Sequence, residues 1–275
     1  MPYFVTDDRC KLYYEEKGQG EPLIFVHGWT CSRRYFKNQV AVFAQKYRVI
    51  TYDLRGHGDS DRSDITETGM SLDRFAMDLK ELMDYLNIKT ANICGWSMGT
   101  SILLNFVQLY GCDRLKSLCF IDMTPKLLND DTWDLGQGRN LDMAGNLGFM
   151  DVLATNWPLA CELFIPNLFH AGVDTSSELF QWCMGQALSN TPHCMLNMWI
   201  AMAVKDYRAV LPTISVPVFL AYSGDGTIYF PAHGEYMQAN IPTTTLDIFP
   251  GCGHGLFMEN PEKFNADYGA FLAAL

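Results

Sequence analysis

The chain alternates between short apolar runs and longer stretches in which apolar residues return every three or four positions. Tyr3 to Val5 and Leu12 to Tyr14 flank Asp7-Asp8, a pattern that predicts a hairpin. Pro22-Leu23-Ile24-Phe25-Val26 and Tyr47 to Tyr52 follow, each ending in a Gly-containing turn. Such unbroken runs predict strands covered on both faces by helices. From Leu72 to Leu86, Phe75, Leu79, Leu82, Met83 and Leu86 recur at helical spacing, with Asp78, Lys80, Glu81 and Asp84 on the opposite face. A strand over 91–94, a helix over about 98–110 and a strand over 115–121 extend the alternation, and a β-α-β-α-β order predicts a parallel sheet.

After Asp122 the rhythm stops, and it resumes at Val216 to Tyr222, followed by a helix and a strand over Thr244 to Phe249. Asn260 as N-cap and Pro261 in the first turn open a last helix towards Leu275. The interruption predicts a core made of 1–124 and 208–275 and an inserted helical lid over 125–207. An insertion at the carboxyl edge of a parallel sheet lies over the crevice where such folds bind ligands. It carries four of the six tryptophans, so Trp133, Trp157, Trp182 and Trp199, with Trp29 and Trp96 from the core, are candidate pocket residues. The competing reading is that some of these rings form only the small core of the lid.

Composition narrows the function. With 20 Lys and Arg against 31 Asp and Glu, the formal charge of −11 disfavours nucleic acid and anionic lipid as partners. Nine scattered cysteines fit neither a disulfide framework nor a zinc ribbon, and the N-terminus lacks the layout of a signal peptide. The expectation is a cytoplasmic protein acting on a small molecule, away from membranes; the sequence leaves its oligomeric state open. G-x-x-x-x-G-K-[ST], H-E-x-x-H and a helix-opening G-x-G-x-x-G are all missing, so neither a cofactor nor a metal is expected.

Candidate chemistry centres on Ile93-Cys94-Gly95-Trp96-Ser97-Met98-Gly99, where a strand runs through G-x-S-x-G into a helix. The glycines permit a sharp turn that lifts the Ser97 hydroxyl above the sheet edge. A serine hydroxyl attacks a carbonyl only when a base removes its proton. His254, in the Gly251-Cys252-Gly253-His254-Gly255 loop after the last strand, is the candidate base; His27 and His57 sit in loop-shaping Gly motifs and read as structural. Developing charge on the carbonyl oxygen needs preorganised donors, for which the backbone N–H groups of Met98 and Trp29 are placed by their motifs.

Gly95-Trp96-Ser97-Met98-Gly99, His27-Gly28-Trp29, Asp53-Leu54-Arg55-Gly56-His57-Gly58-Asp59-Ser60 and Gly253-His254 with Glu259-Asn260-Pro261 together resemble the α/β-hydrolase superfamily. Within it the chain is similar to small bacterial esterases, the cofactor-free chloroperoxidase-like or arylesterase members. The resemblance implies an α/β fold with a mostly parallel central sheet, helices on both faces and a helical lid inserted after the strand that follows the nucleophile helix. It also implies a Ser-His-Asp triad of Ser97, His254 and an acid. Most such enzymes carry the acid a few residues after the strand read here at 216–222, where this chain has Gly224-Asp225-Gly226-Thr227; another branch carries it one strand earlier, where Asp122 stands. Asp122 is favoured and Asp225 is the alternative. The activity implied is hydrolysis of a carboxylic ester with an apolar acyl or aryl group through an acyl-enzyme. Relatives of the fold that share these residues give two other readings: a cofactor-independent dioxygenase or other non-hydrolytic enzyme, and a ligand receptor using the same pocket.

Overall fold

The computed structural model describes residues 2–62, 69–138 and 141–275; Arg139 and Asn140, inside the expected lid, lie outside the described residues. In chain order the strands are β1 (Tyr3–Val5), β2 (Lys11–Lys17), β3 (Glu21–Val26), β4 (Tyr47–Tyr52), β5 (Ala91–Trp96), β6 (Leu115–Ile121), β7 (Val218–Ser223) and β8 (Thr244–Phe249). The helices are α1 (Lys37–Phe43), α2 (Leu72–Tyr85), α3 (Met98–Tyr110), α4 (Met143–Thr155), α5 (Trp157–Phe164), α6 (Glu178–Leu188), α7 (Pro192–Ala203), α8 (Pro231–Asn240), α9 (Leu256–Glu259) and α10 (Pro261–Ala273). They form an eight-stranded sheet in the order β1-β2-β4-β3-β5-β6-β7-β8. Only β1 with β2 and β2 with β4 pair antiparallel; β4 through β8 run parallel.

The burial of β5 and β7 along their whole lengths explains why their sequences show no polar alternation. The amphipathic pattern over 72–85 forms α2, capped by Ser71, whose side chain accepts the Arg74 N–H. Between β6 and β7 lie α4 to α7. The ends of this insertion meet: Lys126 bridges to Asp206, and Tyr207 N–H donates to Pro125 O at 2.8 Å. Among the described residues no helix is long and apolar enough to cross a membrane.

The turn after β4 is built on buried charge. Asp53 is fully buried and accepts the backbone N–H groups of Arg33 at 2.8 Å and Asp59 at 2.9 Å, besides the Arg33 guanidinium. A Cβ on Gly58, whose φ is +52°, would strike that carboxylate, so glycine is required twice over. Two residues on, Arg55 reaches Asp78 of α2 at 2.7 Å and Asp8 of the first hairpin at 2.8 Å, while Arg74 holds the other oxygen of Asp78 at 2.9 Å. This cluster ties the hairpin, the β4 turn and α2 together. Removing Asp78 leaves two buried guanidinium groups without their shared carboxylate. Asp78→Ala is expected to cost about 3 to 5 kcal/mol of stability in denaturant unfolding; a change under about 1 kcal/mol, the range of an exposed pair, would refute this account of the cluster.

His27 ends β3 fully buried. Its Nε2 accepts the Leu54 N–H at 3.0 Å, so its proton sits on Nδ1 and is donated to Gly28 O at 2.8 Å. Burial holds the ring neutral and lowers its pKa to about 4. His57 stands edge-on to it, ring centroids 4.9 Å apart, and burial lowers its pKa well below the usual value too. Both histidines therefore fit the structural role expected of them. The unfolded chain takes up these protons near pH 6.5 and the folded protein resists them, so the stability is fully present above that pH and is lost as pH falls towards 4. His27 alone accounts for roughly 3 kcal/mol across that window. Urea midpoints compared at pH 7 and pH 4.5 should fall less in His27→Gln than in the parent; equal falls would remove His27 from the acid response.

Candidate active site

The carboxyl ends of β3, β5, β6, β7 and the loop after β8 converge above the sheet, and each delivers one polar group. Ser97 follows β5 with φ 55° and ψ −121°, a conformation that costs a non-glycine residue of order 1–3 kcal/mol. Its N–H donates to Ile121 O at the end of β6 at 3.0 Å, and its carbonyl accepts the Thr100 N–H at 2.8 Å. The Thr100 hydroxyl closes the turn on Gly95 O at 2.7 Å. The strain lies on the serine. Gly95 and Gly99 are needed for space: a Cβ on Gly95 would come within 2.6 Å of the Gly99 backbone, and one on Gly99 would collide with the Val26 carbonyl. That differs from the expectation that the glycines supply the turn's conformation.

Gly28 also packs close, since a Cβ there would lie 3.0 Å from Ser97 Cβ. The next peptide therefore passes beside the serine. Among the described residues neither the Trp29 nor the Met98 N–H donates to a protein acceptor. Two free backbone donors flanking a hydroxyl can take charge from a carbonyl oxygen bound there.

Asp122 ends β6 at φ 47°, a second strained residue, and is fully buried. Its Oδ1 accepts the N–H of Ser223, at the end of β7, at 2.9 Å and the Ser223 hydroxyl at 3.0 Å; its Oδ2 meets His254 Nδ1 at 2.8 Å. His254 is 1% exposed. With Nδ1 engaged by the carboxylate, Nε2 is the nitrogen left to exchange a proton. Asp225, the alternative acid, is exposed in its Gly-rich turn, where its carboxylate accepts the Gly251 N–H at 2.6 Å; it makes no contact with His254.

Two groups that the sequence leaves without a role, Ser223 and Glu259, also position the histidine, and so does Trp96, which the sequence suggests as a pocket residue. Ser223 orients Asp122. Glu259 accepts the Gly253 N–H at 2.6 Å through one oxygen and both the N–H and ring Nδ1 of His170 through the other. Trp96 donates its indole N–H to His254 O at 2.9 Å from beneath the ring. Trp96 lies within the G-x-S-x-G motif and Glu259 within Glu259-Asn260-Pro261, a motif with no assigned chemistry, whereas Ser223 carries no sequence signal.

The expected pocket tryptophans separate. Trp29, Trp157 and Trp199 come together with Phe149 and Phe164 under α4, α5 and α7, with ring centroids 4.8–6.2 Å from Trp29. Trp96 lies below His254, Trp182 packs on Tyr35, and Trp133 packs on Tyr236 of α8. Among the described residues no group of three or more His, Cys, Asp or Glu is set to hold a metal.

The chain as a whole is similar to known proteins. The chain is 28% identical over 279 residues to a non-heme chloroperoxidase of Kitasatospora aureofaciens, covering 99% of each. It is 26% identical to a pimeloyl-(acyl-carrier protein) methyl ester esterase of Nitrosomonas europaea, covering 95% of this chain and 99% of that one. A bromoperoxidase from Bacillus anthracis superposes with a TM-score of 0.89 at 27% identity, covering 99% of this chain and 100% of the other. An esterase from Exiguobacterium antarcticum, at 24% identity and a TM-score of 0.90 over 98% of both chains, shares the fold. The sequence profile of the alpha/beta hydrolase family matches residues 23–267. Because that match begins in β3 and runs into α10, taking in the whole parallel sheet and every group that converges above it, the chain belongs to the alpha/beta hydrolase family.

Proposed function

We propose that the protein hydrolyses a carboxylic ester with an apolar acyl or aryl group, using Ser97 as nucleophile, His254 as base and Asp122 as the acid that orients it. The observation that carries this reading is the buried Asp122–His254 hydrogen bond, 2.8 Å, together with a serine held at φ 55° at the end of the neighbouring strand. Esterases among the relatives support it. The insertion serves as a lid, its aromatic cluster forming the wall against which the acyl group packs.

The steps follow from the donors available. Ser97 Oγ attacks the ester carbonyl while its proton passes to His254 Nε2, and Asp122 stabilises the imidazolium. The oxygen of the tetrahedral adduct accepts the Trp29 and Met98 N–H groups. Collapse breaks the bond to the alcohol, which leaves with the proton from His254. Water, giving its proton to His254, then attacks the acyl-enzyme; the bond to Ser97 Oγ breaks, His254 returns the proton to that oxygen, and the acid is released. The hydrogen bond to Asp122 occupies Nδ1 and leaves Nε2 to take the serine's proton, so exchanging the carboxylate for an amide favours the wrong tautomer.

Hydrolysis of a chain-length series of p-nitrophenyl esters is expected in the parent and is expected to fall by about 10⁴-fold or more in Ser97→Ala. An oxygen electrode in the same cell guards the reading: turnover that survives Ser97→Ala and consumes oxygen would overturn it in favour of dioxygenase chemistry. Asp122→Asn is expected to lower kcat by about 10³- to 10⁴-fold, and Asp225→Asn, which alters only an exposed turn, by less than about threefold. The reverse pattern would move the acid to Asp225.

A further inference from the structure

Five of the six tryptophans are buried: Trp29, Trp96, Trp133, Trp157 and Trp199. A buried indole N–H taken from water needs an acceptor. Four have one: Trp29 donates to Met195 O at 2.9 Å, Trp96 to His254 O at 2.9 Å, Trp133 to Lys126 O at 2.9 Å, and Trp199 to Asn146 Oδ1 at 2.8 Å. Among the described residues the Trp157 N–H has none. Trp157 opens α5 and stands edge-to-face at 87° on Trp29, whose neighbour Gly28 packs against Ser97. A contact with the Trp29 ring face is a weak substitute for an oxygen acceptor.

We infer that Trp157 is a specificity-determining residue whose indole N–H donates to a neutral oxygen in the acyl chain of the substrate, a ketone, ether or second ester carbonyl. This rests on the proposal that Ser97 attacks an ester. The acyl part is assigned because it stays bound through both chemical steps. The acceptor is neutral because the residues from Leu141 to Phe169, which hold α4 and α5, include no Lys, Arg or described His, and carry Asp142, Asp151 and Glu162. A carboxylate buried there would lack a counter-charge. A site built to satisfy a buried donor discriminates against the analogue that leaves it unpaired far more strongly than an apolar wall discriminates by one methylene.

The test compares p-nitrophenyl heptanoate with its 4-oxo, 5-oxo and 6-oxo analogues in the parent and in Trp157→Phe, which keeps an aromatic ring and deletes the donor. In the parent, kcat/KM for at least one oxo ester is expected to exceed that for heptanoate by about tenfold to a hundredfold. In Trp157→Phe the ratio is expected to fall to near one, whatever the absolute rates. No oxo preference at any position in the parent overturns the inference without reference to the variant. A preference retained in Trp157→Phe also overturns it, because the donor then lies elsewhere. Ser97→Ala separates the two readings: activity surviving there defeats the nucleophile assignment, while the oxo ratio reports on Trp157 alone.

Discussion

A carboxylate with no water around it must have both oxygens hydrogen-bonded, and in this fold that requirement falls on Asp122. One oxygen takes two donors from Ser223 and the other takes His254 Nδ1. The groups come from the ends of β6 and β7 and from the loop after β8, so the pair forms only when three neighbouring parallel strands end at the same height. The Asp122 N–H donates to Ala221 O at 2.9 Å and the Ser97 N–H to Ile121 O at 3.0 Å, which locks those ends together. Three of the five non-glycine residues described at positive φ, Thr30, Ser97 and Asp122, stand around this point. Strain of that kind persists only where the surrounding structure over-determines it, and here the sheet edge does so.

Much of the scaffold is legible from periodicity because it is a matter of burial on two faces. The apolar runs predict β4 and β8 with their observed ends, and the amphipathic pattern predicts α2 to within a residue. α1 is not legible. Its sequence, Lys37 to Phe43, carries two valines and no capping side chain, and its preceding residue Phe36 makes no cap hydrogen bond. It is held by tertiary contacts instead: Gln39 and Phe43 are buried, and Gln39 donates to Phe257 O at 3.0 Å.

The site divides in the same way. Ser97, His254, Trp29 and Met98 are legible because each lies in a short motif whose backbone geometry is local. The acid is only partly legible: the departure at Thr227 favours Asp122 over Asp225, but both follow a strand, and what separates them is which carboxylate bonds the histidine, a relation between residues 132 apart in sequence for Asp122. Ser223 and the unpaired Trp157 N–H are silent for the same reason, and Glu259 shows only as part of a motif, without its role. A serine at a strand end or a tryptophan at a helix start carries no mark of its partner, and still less of a missing one.

The insertion holds the core unequally, and the inequality has a chemical sense. Its stretch from Leu168 to His170 clasps the histidine loop: Gly255 N–H donates to Leu168 O at 2.6 Å, Glu259 takes His170, and a side chain on Gly253 would collide with Phe169. The turn between α6 and α7 adds Asn190 Nδ2, donating to Thr30 O at 2.7 Å, and α7 adds the Met195 carbonyl, which accepts the Trp29 indole N–H at 2.9 Å. Among the described residues no hydrogen bond or ion pair joins α4 or α5 to the strands of the core; their hold on it is aromatic contact with Trp29. Hydrogen bonds fix direction, whereas apolar contact tolerates sliding and repacking. The part of the insertion that steadies the His254 loop is therefore tied to the core by directional bonds, whereas α4 and α5, which complete the aromatic cluster with Trp199 of α7, meet the core through apolar contact, so repacking there need not displace the proposed base.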